Sequence, residues 1–305
     1  MSKVALIINP ESGKGRGLKF ANNLCKFSVP SFVKLDKFIT NYPKHAIQIA
    51  KDISNKYDRI LIAGGDGTLN EFINGFDINS KTPIGLIPIG SGNDFALALD
   101  NPIKNITSYL NSHMSTDLYT MDVDIGSIEL TEADGNVIDK KFVNSLGIGF
   151  DARVAYLNQS NKFLSGSLSY ITAIIRAFFD FNLINYSIEN EKVKINKKAL
   201  FCSIGNGETV GGGLYLMPGA RIDDEYLDLS VVDLSSRLKL IKLLPKAMKN
   251  QLKGIPYLSQ SRFKELDIKL QTPYYTHVDG EIVSLQTKRV KVKILTKMIK
   301  FIKVK

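Results

Sequence analysis

A chain of 305 residues is long enough for two domains with separate cores. Hydrophobic residues form 44 % of it and charged residues 23 %, the balance of a globular protein, and no stretch reaches the roughly 18 uninterrupted apolar residues of a membrane span. A net charge of +10 calls for an acidic partner, and nucleotide phosphate, anionic lipid or nucleic acid would each qualify. There is no helix-turn-helix, zinc-finger or aromatic ribonucleoprotein pattern, so the reading includes no nucleic acid. The first apolar run, Val4 to Ile8, is too short for a secretory leader and lacks a cleavage site, which predicts a cytoplasmic location.

That run reads as a strand and ends in Asn9-Pro10-Glu11-Ser12-Gly13-Lys14-Gly15-Arg16-Gly17, a small-residue turn entering a helix. The turn fits neither the Walker pattern nor the dinucleotide pattern. By spacing alone it is equally a plain turn or a nucleotide loop. A strand at Phe32 to Ile39 is followed by Thr40 and by a helix beginning after Tyr42, at whose start His45 reads as structural. The next strand, Arg59 to Ala63, stops at Gly64-Gly65-Asp66-Gly67, after which Leu69, Phe72, Ile73 and Phe76 recur at helical spacing. Strand, glycine turn and helix together make an anion cradle: N–H groups converge without a Cβ in the way, and the helix dipole adds to them. Asp66 would repel phosphate directly, so it reads as a partner of magnesium or of an attacking hydroxyl. A third turn of this kind, Gly90-Ser91-Gly92-Asn93-Asp94, follows the strand Ile84 to Ile89. The Ser91 hydroxyl could donate to phosphate or ligate a cation, and Asp94 is either a further carboxylate ligand or a helix N-cap. Strands alternating with helices over about 120 residues predict a doubly wound α/β domain with its ligand at the carboxyl ends of the strands.

From Asp122 onward the pattern changes. Val123 to Leu130 and Val137 to Val143 flank Asp134-Gly135, a hairpin signal. A helix comes next with Phe163, Leu164, Leu168, Ile171, Ile175 and Phe178, open to a reading as core or as an acyl-chain path. Strands then dominate at Tyr186 to Lys197, Leu200 to Ile204, Tyr226 to Val232 and Phe263 to Leu270. Between them, Lys239, Lys242, Lys246, Lys249 and Lys253 alternate with leucines, either as a membrane-surface helix or as a solvated outer face. Cys25 and Cys202 have no metal spacing and read as reduced core thiols. Asp66, Asp94 and Asp124 each fall near a strand end; three carboxylates gathered there would need a cation between them, which implies magnesium.

Gly64-Gly65-Asp66-Gly67-Thr68-Leu69-Asn70-Glu71 resembles the nucleotide-binding signature of the diacylglycerol kinase catalytic family, which includes soluble bacterial lipid kinases and sphingosine kinases; the NAD kinases carry a similar turn. The likeness continues in Asn9 to Gly13, in Thr40 with His45-Ala46, in Pro88 to Asp94, where Ser91 replaces the commoner Thr, in Pro218 to Asp228, and in Asp279-Gly280-Glu281. It implies an α/β nucleotide-binding domain at residues 1–125 with about 289–305, and a mainly β, sandwich-like lipid-substrate domain at 126–288. It implies ATP and Mg2+ as cofactors. The nucleotide contacts would be Asn9, Pro10, Gly13, Thr40, Gly64, Gly65, Asp66, Gly67, Thr68, Asn70, Glu71, Gly90 and Ser91. Metal ligands would be Asp94 and Asp124, the latter preferred to Asp122 because Asp124-Ile125-Gly126 fits the family's Asp-x-Gly. A structural magnesium would lie at Asp224 with the carbonyls of Arg221 and Tyr226, although Glu225 stands where the family has glycine. Glu281 would take the proton of the lipid hydroxyl, with Asp66 as the other catalytic carboxylate. The expected activity is ATP-dependent phosphorylation of a lipid hydroxyl at an anionic membrane surface, diacylglycerol leading over a phospholipid, a sphingoid base or a polyprenol. An NAD kinase lacks support because no Gly-Ser-Thr-Ala-Tyr type segment occurs later in the chain, and a non-catalytic binder is argued against by the retained carboxylates. A homodimer is one admissible assembly.

Overall fold

In the computed structural model, which describes residues 1–100, 106–159, 166–179, 182–190, 194–234 and 237–303, the chain forms two compact units. One is Met1–Asp124 with Thr296–Lys305, the other Ile125–Leu295. The first unit begins β1 (Ser2–Ile8), α1 (Arg16–Asn23), β2 (Val33–Ile39), α2 (His45–Ile53), β3 (Arg59–Gly64), α3 (Asp66–Gly75), β4 (Ile84–Pro88), α4 (Asp94–Ala98) and α5 (Ile106–Met114), and β5 (Tyr119–Glu132) leads out of it. The strands are parallel in the order β2-β1-β3-β4, with Ile8 opposite Ala63 and Gly64 opposite Pro88, so their carboxyl ends share one edge. Every residue of β3 and β4 is buried, as expected of strands covered on both faces, whereas β2 alternates and turns Lys34 to solvent. The core of this unit packs Val4, Leu6, Ile8, Leu61, Ala63 and Ile87 against Phe20, Leu24, Tyr109 and Leu110.

The second unit contains β6 (Val137–Phe142), β7 (Ser145–Gly149), α6 (Phe150–Gln159), α7 (Gly166–Phe178), β8 (Ile184–Glu189), β9 (Lys194–Ala199), β10 (Phe201–Gly205), β11 (Thr209–Val210), β12 (Leu214–Tyr215), β13 (Leu227–Val232), α8 (Arg237–Met248), β14 (Leu258–Phe263), β15 (Glu265–Val278) and the start of β16 (Glu281–Lys303). Its strands pair antiparallel. β5 pairs with β6 across the Asp134-Gly135 turn, β14-β13-β10-β7-β15 form a run, and β15 also pairs with β8 and β16. Register shifts between Lys269 and His277 let one long strand serve different partners along its length. One core lies among Ile128, Phe142, Ile148, Tyr186, Ile204, Ile268 and Val290; a second, with Phe150, Val154, Ala173, Phe201 and Leu243, packs α6, α7 and α8. β16 is 23 residues long and ends in the first unit, where Phe301 pairs parallel with Ile84 of β4.

Two sequence expectations are corrected, and a third lies partly outside the described residues. Cys25 is exposed, on a short turn after α1 where its Sγ donates to the Asn22 carbonyl, so only Cys202 is a core thiol; burial pushes the Cys202 thiol well above its ordinary range. The strand expected over Phe263 to Leu270 is divided at Lys264 and runs on to Val278. The helix expected from Phe163 is described from Gly166, and Phe163 and Leu164 lie outside the described residues. Among the described residues no helix is long and apolar enough to cross a membrane.

Candidate active site

The turns after β1, β3 and β4 meet. Gly13, Lys14 and Gly15 have φ of 63°, 56° and 90°, a run of left-handed residues of the kind in which successive N–H groups can face one anion. Asn9 Nδ2 donates to Thr68 Oγ1 at 2.8 Å, Asn9 Oδ1 accepts the Glu11 N–H, and Ser12 Oγ lies 3.5 Å from the same Thr68 hydroxyl. Arg16 donates to the carbonyls of Gly13 and Gly90 and so ties the first turn to the third. Between the second and third turns the contact is backbone on backbone: a Cβ on Gly90 would stand 2.3 Å from the Gly65 Cα, and one on Gly13 would stand 2.2 Å from the Ile89 carbonyl oxygen. The glycines here are therefore required by the approach of the turns to one another as well as by any ligand. Pro10 belongs to the same turn, its carbonyl accepting the Leu18 N–H, and Gly64 accepts the N–H groups of Ile89 and Gly90. Gly67 lies half-buried in the first turn of α3, and Ser91 is exposed at the tip of the third turn.

Three more of the expected nucleotide contacts in and around α2 and α3, besides Asn9 and Thr68, have evident structural partners. Thr40 is buried, and both its N–H and its hydroxyl face the Ile8 carbonyl. Glu71 Oε1 accepts the N–H of Lys44, whose φ is 69°, at the entry to α2. Asn70 is buried and its carbonyl accepts from Asn74. His45 is structural: Nδ1 accepts the Asn41 N–H at 3.1 Å and the ring stacks on Tyr42.

The carboxylates are placed differently from one another. Asp66 accepts the N–H groups of Asp94 at 3.2 Å and Phe95 at 3.1 Å, so the start of α4 is met by a carboxylate of the chain itself, and the second turn is bound to the third. Asp94 is the first residue of α4, behind Asn93 at φ 60°, whose own side chain makes no capping bond; Asp66 meets the first N–H groups of the helix instead, which sets aside the N-cap reading of Asp94. Asp124 is fully buried, and its Oδ1 accepts the N–H of Lys297, a residue with φ 51°, at 2.7 Å; Asp122 pairs at the surface with Lys300. The expected gathering of Asp66, Asp94 and Asp124 into one ligand set is not found: among the described residues no group of three or more His, Cys, Asp or Glu side chains could hold a metal ion. In the third turn the Asn93 Oδ1 is a buried acceptor with no hydrogen-bond partner, one residue before the buried Asp94, and such an acceptor suits a phosphate-bound cation.

The segment around Asp224 does not fit a metal. One Asp224 oxygen accepts the Tyr226 N–H and the other is bound by the Arg262 guanidinium, which also stands 3.9 Å from Asp228 and 4.7 Å over the Tyr226 ring. Lys264 lies 3.8 Å from Glu225 and 5.1 Å over the same ring. Burial raises the Asp228 carboxyl to about 6 against the opposing pull of Arg262. Glu225 keeps a φ of 65° where glycine was expected, so the turn survives at the cost of strain. Two basic side chains occupy the place read from the sequence as a structural magnesium site.

Asp279-Gly280 forms the two-residue turn of a hairpin in which Val278 pairs with Glu281, both turn residues having positive φ, 47° and 82°, as the type I′ geometry requires. Asp279 Oδ1 accepts the N–H groups of Asn144 and Ser145, at 2.9 and 2.8 Å, and Oδ2 that of Val143 at 3.0 Å. Glu281, half-buried, is the next residue beyond that clamp. In the same unit an apolar cavity of about 380 Å³ lies among α6, α7, α8, β10 and β12; Phe150, Val154, Ile174, Phe178, Phe201 and Leu216 line it, with Asp151 as its charged wall residue. Arg16, Asn93, Arg262 and Asp151 were not singled out by the sequence. The first two lie inside quoted turns, and the others become visible only when distant strands pair.

Glycine turns at parallel strand ends in one unit, and a β-rich second unit, belong to a class that the comparisons with known proteins identify as the lipid kinases. The family model described as the diacylglycerol kinase catalytic domain matches residues 3–126, and that described as a YegS C-terminal NAD kinase beta sandwich-like domain matches residues 144–302. The chain belongs to the diacylglycerol kinase catalytic family and is a lipid kinase, a phosphotransferase using ATP with, as is typical of that family, a divalent cation. A "Diacylglycerol kinase" of Staphylococcus saprophyticus is 28 % identical over 293 residues, covering 92 % of this chain and 88 % of its own. A "Probable lipid kinase YegS-like" of Shewanella frigidimarina is 30 % identical over 263 residues, with coverage of 83 % and 79 %. In fold, the chain matches a crystal structure of a diacylglycerol kinase from Bacillus anthracis with a TM-score of 0.71 at 21 % identity, over 99 % of this chain and 97 % of the other. An NAD kinase from Archaeoglobus fulgidus matches with a TM-score of 0.52 at 11 % identity, over 99 % and 93 %, a likeness of fold alone.

Proposed function

We propose that the enzyme transfers the γ-phosphoryl group of magnesium-ATP to the hydroxyl of diacylglycerol, giving phosphatidic acid and ADP. The apolar cavity carries the choice of acceptor: about 380 Å³ lined almost wholly by aliphatic and aromatic side chains suits an acyl chain. The relatives named for diacylglycerol support that class. The turns after β1 and β3 would hold the phosphates against backbone N–H groups, and Asn93 and Asp94 of the third turn would hold the magnesium. Magnesium, when bound, offsets charge on the β- and γ-phosphates. Glu281 accepts the hydroxyl proton as the acceptor oxygen bonds to the γ-phosphorus and the bond from that phosphorus to the bridging oxygen of ADP breaks. Asp66, with its oxygens turned to the N–H groups of Asp94 and Phe95, organises the turns.

The same unit offers a surface for docking to an anionic bilayer. Ile175 and Phe179 at the end of α7 and Met248 on α8 are exposed, and Lys239, Lys242, Lys246, Lys249 and Lys253 face solvent along and just beyond α8. Incubation with labelled ATP and vesicles carrying diacylglycerol, a phospholipid alcohol, a sphingoid base or a polyprenol tests the reading. Label in phosphatidic acid is expected, and label confined to another lipid would replace the acceptor.

A further inference from the structure

We infer that His277 and Asp151 are positioning residues that fix the direction of Glu281, an inference that rests on the reading of Glu281 as the proton acceptor. His277, on β15, and Asp151, at the start of α6, are both almost wholly buried. Gly280 donates its N–H to His277 Nδ1 at 3.3 Å, and Gly280 immediately precedes Glu281. An Nδ1 that accepts is unprotonated, so in the neutral ring Nε2 carries the hydrogen, and Nε2 faces Asp151 Oδ2 at 3.6 Å. Asp151 is itself held at both oxygens: its Oδ1 accepts the Ala152 N–H at 2.8 Å, and its Oδ2 accepts from the Ser203 hydroxyl. Gly147, paired with His277 on one side and with Ser203 on the other, leaves the room, since a Cβ there would stand 2.1 Å from Asp151 Oδ2 and 2.2 Å from His277 Nε2.

The chain of contacts Ser203, Asp151, His277, Gly280 thus ends one peptide from the carboxylate that takes the proton. A carboxylate facing the protonated nitrogen of a histidine, and the histidine's other nitrogen orienting the adjacent peptide, is a general way of placing a reacting group. Asp279 clamps the other flank of the same turn to residues 143–145, so the left-handed pair at 279–280 is held from two directions. Asp151 also lines the apolar cavity, which connects the wall of the acceptor pocket to the hairpin of the base.

Two substitutions separate positioning from mere packing, because asparagine can place an oxygen where Nδ1 stands and glutamine places its amide nitrogen where Nε2 stands. His277→Asn keeps the acceptor for Gly280 and should retain activity within a few-fold of wild type, whereas His277→Gln removes it and should lower kcat about 10–100-fold with little change in KM for lipid. Ser203→Ala, a milder change, should lower kcat in the same direction by a smaller factor. In a Glu281→Gln background His277→Gln should add no further loss, as expected of residues acting through one group. Independently of catalysis, hydrogen exchange at the Gly280 amide should be slow in wild type and His277→Asn and fast in His277→Gln. Equal losses in His277→Asn and His277→Gln, or unchanged exchange at Gly280 in the latter, would overturn the inference while leaving an active wild-type kinase in place. A wild type that phosphorylates no lipid would remove the reading of Glu281 and this inference together.

Discussion

The turns of the first unit and the Asp279-Gly280 turn of the second are built on opposite terms. After β3 and β4 the backbones touch where Gly65 and Gly90 lack side chains, and the geometry depends on atoms that are missing. At Asp279 the geometry depends on one side chain that reaches the N–H groups of three successive residues more than a hundred positions earlier. A turn of the first kind takes an added Cβ only by moving backbone, while a turn of the second kind answers in degrees to the chemistry of one carboxylate. Glu281 stands just beyond that turn, outside the three contacts of its clamp.

The largest effect expected from this contrast is Glu281→Gln, which should lower kcat by about 10²–10⁴ while leaving the melting temperature and ATP binding near wild type. Loss of ATP binding instead would take Glu281 out of the base role. The two units should also differ in acid. His113, buried in the first unit against Gly85 with its Nδ1 at 2.7 Å from the Tyr109 carbonyl, is lowered by burial from 6.5 to about 4. The unfolded chain therefore binds the extra proton between pH 6.5 and 4, and stability of that unit should fall by about 3 kcal/mol as pH drops through this window. Asp228, in the second unit, is raised from 3.8 to about 6, so the folded form holds the proton and the contribution has the opposite sign. Hydrogen exchange at pH 7 and pH 5 should show first-unit amides losing protection relative to second-unit amides; a parallel loss in both would remove His113 as the cause.

Asp279→Asn should cost about 2–3 kcal/mol by calorimetry, because an amide facing the same groups sets a donor against one of the three N–H groups. Gly90→Ala should cost about 1–3 kcal/mol and raise the concentration of ATP needed for half-saturation. An unchanged ATP affinity would separate the packing of the turns from nucleotide binding. Arg262→Ala should cost about 1 kcal/mol, because the guanidinium is half-exposed while the carboxylates it meets are mostly buried. Millimolar magnesium should not shift melting of the second unit in wild type, and a shift abolished by Asp224→Ala would restore a metal to that site.

Strand-ending glycine turns were legible because the physics they express is local. Four apolar residues, a break in Cβ atoms and a return at helical spacing are sufficient to place β3 and α3. The hairpin at Asp134-Gly135 was readable from its dipeptide for the same reason. The convergence of Asp66, Asp94 and Asp124 was not, since nearness to a strand end fixes neither side-chain direction nor which amide a carboxylate meets first. Nor could the sequence disclose Arg262 at Asp224 or Ser203 at Asp151, which lie 38 and 52 residues apart and meet only through strand pairing. The full length of β15 is hidden in the sequence because its register shifts interrupt the alternation on which strand recognition depends.

The strand that closes the first unit leaves the ribosome after the whole of the second. Until Phe301 has been translated, Ile84 lacks its neighbour and Phe95 lacks the ring that packs 4.9 Å from it, so the parallel sheet begun at Ser2 waits for the β-rich unit to be synthesised before its own edge is covered. Nascent chains stalled short of that residue should be open to proteases in the portion made earlier.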